Sequence, residues 1–218
     1  MTEPDFLRAT RASYDAMAVD YADFFRDSLA GMPLDRAMFA AFAELVRDSG
    51  PVADVGSGPG WVTAHLHELG LDVFGVDLSP EMVALAGRTY PSLRFEEGSM
   101  LALDLPDGKL GGLVAYYSII HVPLERVPEV FAEFHRVLAP GGHMLVAFQV
   151  GDEPVHRTDG FGHPISLDFH RRQPDQIAEL LCAAGFDVDA RLLREPRPGT
   201  AYELTPQAML LARKPLGL

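Results

Sequence analysis

Val52-Ala53-Asp54-Val55-Gly56-Ser57-Gly58-Pro59-Gly60-Trp61 is the stretch whose reading decides the fold. Val52 to Val55 reads as a short buried strand that carries one carboxylate. Three glycines at alternate positions then impose a tight turn, where a Cβ would keep the backbone from closing on a ligand. Val62, Leu66 and Leu69 follow at helical spacing, and Gly70 is placed to stop that helix in a left-handed cap. Strand, glycine turn and helix together open a nucleotide-binding α/β unit. A dinucleotide fingerprint would read G-x-G-x-x-G. Here the third glycine falls one residue early, and Trp61 stands where that pattern needs glycine. Leu71 to Val76 reads as the second strand, and Asp77 ends it, where a carboxylate can accept from both hydroxyls of a ribose. The expected ligand is an adenosine held without a pyrophosphate.

At these residues the chain resembles the class I S-adenosylmethionine-dependent methyltransferases. Their first motif, an acidic residue before G-x-G-x-G, matches Asp54-Val55-Gly56-Ser57-Gly58-Pro59-Gly60, and their second matches Asp77. Two weaker echoes follow in order, Glu97-Gly98-Ser99-Met100 and Leu138-Ala139-Pro140-Gly141-Gly142. The resemblance implies S-adenosylmethionine as cofactor. It implies that Gly56, Ser57, Gly58 and Gly60 lie along the methionine and ribose, and that Asp77 takes the ribose hydroxyls. It further implies that Leu78 and Met100 sandwich the adenine, that Ser99 meets its edge, and that Met82, Gly98 and Tyr117 join the cofactor site. Asp54 has two readings: it orients the charged tail of the cofactor, or it links to the glycine turn much as an N-cap does.

Composition narrows the function classes. The chain has 218 residues, enough for one α/β domain and too few for two of typical size. Hydrophobic residues at 48% and charged residues at 22% place it among globular proteins. With 31 acidic against 18 basic residues the formal charge is −13, which disfavours a nucleic-acid partner. Cys182 is the only cysteine, so an intrachain disulfide and a Cys-rich zinc site are excluded. No apolar run approaches membrane-spanning length and no signal peptide is legible, so a cytoplasmic protein with no membrane partner is expected.

Working outward, residues 5 to 29 show a helical period with Tyr14, Met17, Tyr21, Phe24 and Phe25 on one face, and Leu34 to Val46 continues it after Gly31-Met32-Pro33. Ser79 and Pro80 mark a helix start. Strands are expected at 93 to 96, 113 to 117 and 143 to 150, with a helix from Val127 to Leu138 closed by Pro140-Gly141. Residues 150 to 172 show no clear period and read as a long loop. A helix from Pro174 to Gly185 and two strands, 186 to 193 and 207 to 212, complete the chain. The short link between these strands makes them an antiparallel pair. The fold expected is a doubly wound, Rossmann-like, seven-stranded α/β sheet with an antiparallel last strand and an N-terminal helical cap. It is divided as cap (1–49), cofactor-binding core (50–150), and acceptor-side loop with C-terminal strands (151–218).

The function expected is methyl transfer to an O, N or C atom of a small molecule. His121, just past the fourth strand, is the candidate catalytic base, with helix capping or cofactor contact as its other readings. Enzymes of this class that methylate exocyclic amino groups carry Asn or Asp followed by Pro-Pro-Tyr or Pro-Pro-Phe there. This chain has Tyr117-Ser118-Ile119-Ile120-His121 instead, which speaks against DNA bases and glutamine. His156, Phe161, His163, Asp168 and His170 lie in the loop beyond the fifth strand and most are expected to be structural or solvated, and no metal site has convincing spacing. Tyr14 and Tyr21 are placed in the cofactor site, on a first helix expected to close over it as a lid. The competing functions are a non-catalytic S-adenosylmethionine-binding protein, a protein methyltransferase, and a nicotinamide oxidoreductase, the last opposed by Trp61.

Overall fold

Strand β1 (Val52–Val55) is buried along its whole length and stands at the centre of the sheet. The computed structural model describes residues 3–197, 199–200 and 203–217. Before β1 come α1 (Asp5–Phe25), a short 3₁₀ turn at Leu29–Gly31 and α2 (Pro33–Val46). After it, α3 (Trp61–Glu68), β2 (Val73–Asp77), α4 (Pro80–Thr89) and β3 (Arg94–Glu97) build outward on one side. On the other side follow β4 (Leu110–Tyr116), α5 (Val127–Val137) and β5 (Leu138–Gln149). Then come β6 (Val155–Gly160), β7 (His163–Phe169), α6 (Pro174–Ala183), β8 (Asp187–Arg194) and β9 (Gln207–Arg213).

The main sheet has seven strands in the order β3-β2-β1-β4-β5-β9-β8. β1 pairs in parallel with both β2 and β4, so the chain reverses its winding direction between them. β9 runs antiparallel between β5 and β8. The expected Rossmann-like sheet with an antiparallel last strand is what the chain forms. Phe131, Phe134, Ile177 and Leu181 from α5 and α6 fill one face. Phe39, Phe42, Val62 and Leu66 from α2 and α3 fill the other. Two faces covered by helices explain why the central strands are apolar throughout.

Three expectations need correction. Residues 150 to 172 are not a structureless loop: β6 and β7 form an antiparallel hairpin, with Val155 opposite Phe169 and Arg157 opposite Leu167. Its two-residue turn puts Phe161 at φ 55° and Gly162 at φ 81°, the left-handed pair that a type I′ turn demands. Second, α5 stops at Val137 and the chain enters β5 at Leu138, five residues before the expected start. Pro140 disfavours a helical Ala139. Gly141 then donates to the Lys214 carbonyl as part of the strand edge. Third, α1 ends at Phe25, and the chain turns before the 3₁₀ segment. The caps agree with the sequence: the Ser79 hydroxyl accepts from Met82 N–H, and Gly70 (φ 89°) and Gly185 (φ 93°) are left-handed. Among the described residues no helix is long and apolar enough to cross a membrane.

Candidate functional site

A cavity of about 540 Å³ opens beyond the carboxyl ends of β1, β2 and β4, at the place where the winding reverses. Its floor is the turn after β1. Gly58 has φ 53°, and a Cβ there would project into open space with no atom within 4 Å. Gly56 is held by packing, since its Cβ would lie 2.2 Å from that of Ser118. Ser57 lines the cavity, and its buried hydroxyl has no hydrogen-bond partner among the described residues and lies against Gly75, whose Cβ would come within 2.7 Å of it. Gly60 departs from the expectation. It does not line the cavity, because its missing Cβ makes room for the Phe95 ring (2.7 Å) and Ala86 (3.1 Å) between α4 and β3.

Asp77 faces this turn from the end of β2. One carboxylate oxygen accepts from Gly58 N–H at 2.7 Å and the other from Ser79 N–H at 2.9 Å. Burial pushes its pKa up to about 6, against the pull of those two N–H groups. Asp54, also on the cavity wall, is held by the Thr63 hydroxyl at 2.7 Å. Burial pushes it up to about 7, with the charge of Asp77 adding to the rise and Thr63 opposing it. Its bonded partner is thus the Thr63 side chain in the first turn of α3, and not the glycine turn of the second reading. Leu78, Met82, Gly98, Ser99 and Met100 line the same end of the cavity.

The roof is α1 and the hairpin. Asp15 accepts from the Ser79 hydroxyl at 2.5 Å, and Arg11 donates to the Leu78 carbonyl at 3.1 Å. Ser13 joins α1 to β7 by accepting from Ser166 N–H at 3.0 Å. Tyr14 and Tyr21 both face the cavity, with Tyr21 stacked on Trp61 at 5.8 Å between ring centres. Phe161 at the hairpin turn closes on Phe24 at 5.3 Å, so it belongs to the cavity and not to a solvated loop.

His121 lies in a 3₁₀ turn (Ile119–His121) after β4 and is buried. Its Nδ1 is 2.9 Å from the Asp168 carbonyl, which can only accept, so Nδ1 carries the proton. Nε2 therefore accepts from the Tyr14 hydroxyl at 2.8 Å. Burial pushes the imidazole down to about 4, and it raises the Tyr14 phenol well above its ordinary value. Both are neutral at pH 7. His156 and His163 instead pair with Asp168 and Asp20, each at 2.8 Å.

Tyr117 leaves β4 with φ 54° and accepts from Arg194 at 3.4 Å. Arg194 also grips Glu203 through two bonds of 2.8 and 2.9 Å and Asp35 at 3.0 Å, while Tyr116 donates to Asp35 at 2.7 Å. Burial would raise Glu203, but hydrogen bonds from Arg194 and Arg197 hold it down at about 2. This buried network fixes the rim at Tyr117, and sequence reasoning missed it. Asp35 and Arg194 are far apart in the chain and leave no local signal. Asp15 and Arg11 were within reach, since they stand on the same helix face as Tyr14.

Comparison with known proteins follows the same division. The methyltransferase-domain family matches residues 52–142, the stretch from β1 into β5. A demethylmenaquinone methyltransferase of Chlorobaculum parvum is 36% identical over 139 residues, 63% of this chain and 55% of that protein. The chain thus spans about half the length of the relatives it matches in sequence. Among solved structures, the DhpI–SAH complex superposes with a TM-score of 0.72 at 25% identity, covering 98% of this chain and 99% of that one. The 1,6-didemethyltoxoflavin-N1-methyltransferase of Burkholderia thailandensis, with its acceptor and S-adenosylhomocysteine bound, gives 0.74 at 24% identity, over 99% and 92%. The resemblance read from the glycine turn and Asp77 is borne out in these matches.

Proposed function

We propose that the chain is an S-adenosylmethionine-dependent methyltransferase acting on an O, N or C atom of a small molecule. One observation carries this. The cavity joins a carboxylate at the end of β2, bound to the glycine turn, and a glycine facing open space, beneath a roof of aromatic side chains. The residues present suit the cofactor. Asp77 would take the ribose hydroxyls, Leu78 and Met100 the adenine faces, Ser99 its edge, and Gly56, Ser57 and Gly58 the methionine side. When bound, the cofactor supplies a sulfonium-activated methyl group. The acceptors named for the related enzymes, demethylmenaquinone and 1,6-didemethyltoxoflavin, support a small organic acceptor.

The protein's own part is orientation, water exclusion and proton handling. α1 and the hairpin cover the cavity and would shut out water. Tyr14 gives its proton to the hydrogen bond with His121, which leaves its oxygen lone pairs free to accept from an acceptor's O–H or N–H. His121 then acts through Tyr14 as a positioning and relay residue. Its low basicity is no obstacle for an oxygen acceptor, because an oxygen that has just gained a methyl group sheds its proton to a weak base.

The test has two steps. Calorimetry with S-adenosylhomocysteine should give saturable one-site binding, and a methyl-labelled cofactor incubated with small phenols, carboxylic acids and amines should label one class. Failure to bind the cofactor product, with the protein folded, refutes the proposal. Binding without transfer across a broad panel favours the non-catalytic reading.

A further inference from the structure

Arg157 and Arg171 line the cavity wall without an ion partner among the described residues, as does Asp159 beside Arg157, whereas the remaining carboxylates and arginines there are held. Arg11 pairs with Glu3 at 2.9 Å, Glu203 with Arg194 and Arg197, Asp54 with Thr63, and Asp77 with backbone N–H groups. Arg157 and Arg171 line the same cavity, yet neither has an ion pair or a side-chain hydrogen bond among the described residues. The Nε of Arg171 is shut off from solvent with no hydrogen-bond partner among the described residues. The chain has 31 acidic residues to pair with 18 basic ones, so unpaired arginines at a cavity do not reflect a shortage of carboxylates.

The hairpin explains their placement. Side chains alternate across a strand, so Val155 and Arg157 of β6 share a face with Leu167 and Phe169 of β7, before the register shifts and Asp159 pairs with Pro164. These four line the cavity, with Asp159 and Ile165. Val155 sits opposite Phe169, and Arg157 lies two residues beyond Val155 in the direction of the turn. Arg171 lies two residues beyond Phe169 at the other end. The two cations therefore bracket an apolar pair on the underside of the roof. Arg171 is packed over Gly151, where a Cβ would come within 2.9 Å of its Cδ, so its stem is held in place. Gln149, Thr205 and Gln207 line the cavity as well and make its wall polar on the strand β5 and β9 side.

We propose that Arg171, aided by Arg157 nearer the solvent, binds an anionic group of the methyl acceptor, a carboxylate or a phosphate. This rests on reading the cavity as a methyl-acceptor site. A half-buried guanidinium without a counter-charge bears a desolvation cost that an incoming anion relieves. Its planar fork matches both oxyanions, and charge-assisted bonds of this kind are about twice as strong as neutral ones. The apolar pair between the arginines suits the organic body of the acceptor.

The test uses the full chain loaded with S-adenosylhomocysteine and three aromatic probes: benzoate, phenyl phosphate and uncharged benzamide. Trp61, the single tryptophan, lines the cavity and reports binding by fluorescence, with calorimetry beside it. At least one anion should bind about tenfold or more tighter than benzamide, and which anion wins tells carboxylate from phosphate. Arg171→Met should bring that ratio close to one, Arg171→Lys should keep part of it, and Arg157→Met should lower it. Arg157 is exposed, so its variant will not be lost to misfolding. Equal binding of benzamide, a preference that survives Arg171→Met, or no binding of either anion up to about 10 mM overturns the proposal. If the cofactor product fails to bind, the methyltransferase reading falls on its own, and the same titration of the unloaded protein still decides for or against the arginine site.

Discussion

Replacing Asp77 by alanine should weaken binding of S-adenosylhomocysteine roughly tenfold to a hundredfold while the sheet stays folded. A carboxylate has about four lone-pair sites. Gly58 N–H and Ser79 N–H bind it directly and Leu78 N–H approaches it as well, which leaves the carboxylate one or more lone pairs to turn toward a vicinal diol. Their loss removes the charge-assisted bonding to that diol, while the freed N–H groups regain water from the open cavity, so the net cost is about 1.5–3 kcal/mol. The carboxyl is pushed up to about 6 by burial, so pH gives a second handle. Binding to a diol uses the ionised form. Below pH 6 the free protein must first lose a proton, so wild-type affinity should fall as pH drops from 7 to 5. The variant should lack that component. Calorimetry across this range reads both effects. An alanine variant with wild-type affinity at pH 7.5, or with the wild-type pH dependence, would refute the assignment of Asp77 to the ribose.

Asp54→Asn should flatten the pH dependence of stability in the ligand-free protein. The folded pKa is raised to about 7, so this carboxyl contributes stability that is fully present below the unfolded value near 4 and is lost as pH rises toward 7. A wild-type Tm that does not decline more than the variant's between pH 4 and 7 would contradict this. Gly60→Ala should cost about 2–4 kcal/mol in urea denaturation, because its Cβ meets Phe95 at φ 90°. Gly58→Ala should cost about 1 kcal/mol yet weaken cofactor binding, since its Cβ enters open cavity space. The reverse ranking would undo the division of labour between the two glycines. Amide exchange in α1 should slow when S-adenosylhomocysteine is added, as expected of a lid that the ligand orders. Equal protection with and without ligand would mean that α1 is a fixed part of the domain.

The sheet was legible because its signals are local. β1 was bounded to the residue by an apolar run ending in glycines. The start of α4 was given by Ser79-Pro80, and the caps at Gly70 and Gly185 by single glycines. Each of these depends on φ/ψ or hydrogen-bonding needs met within a few residues. The hairpin failed for a different reason. Ile165, Leu167 and Phe169 do alternate with polar residues, but the turn is Phe161-Gly162 in place of Asn-Gly, and β6 is polar apart from Val155. Its strands are specified by what they cover, not by their own pattern. The same holds for the boundary at Leu138, where β-pairing to Leu110 overrides helical periodicity.

The candidate site divides along the same line. Asp77 and Gly58 were found because one turn and one strand end bring them together, and the geometry that unites them is set by the fold itself. Tyr14 and His121 were each singled out alone, for a phenol on an apolar face and an imidazole past β4. That they touch follows only from α1 docking across the sheet through Asp15, Arg11 and Ser13. Arg171 had no signal at all, since an arginine after a strand is ordinarily solvated. It becomes informative only once the fold sets it on a cavity wall with no ion partner among the described residues. On this fold the cofactor half is therefore written in short motifs that any reading of the chain will meet. The acceptor half depends on contacts between segments more than a hundred residues apart, such as Ser13 with Ser166 and Tyr14 with His121. Substitutions on the roof can thus change the acceptor while leaving the cofactor turn untouched, and the arginine variants should separate the two halves in a single titration series.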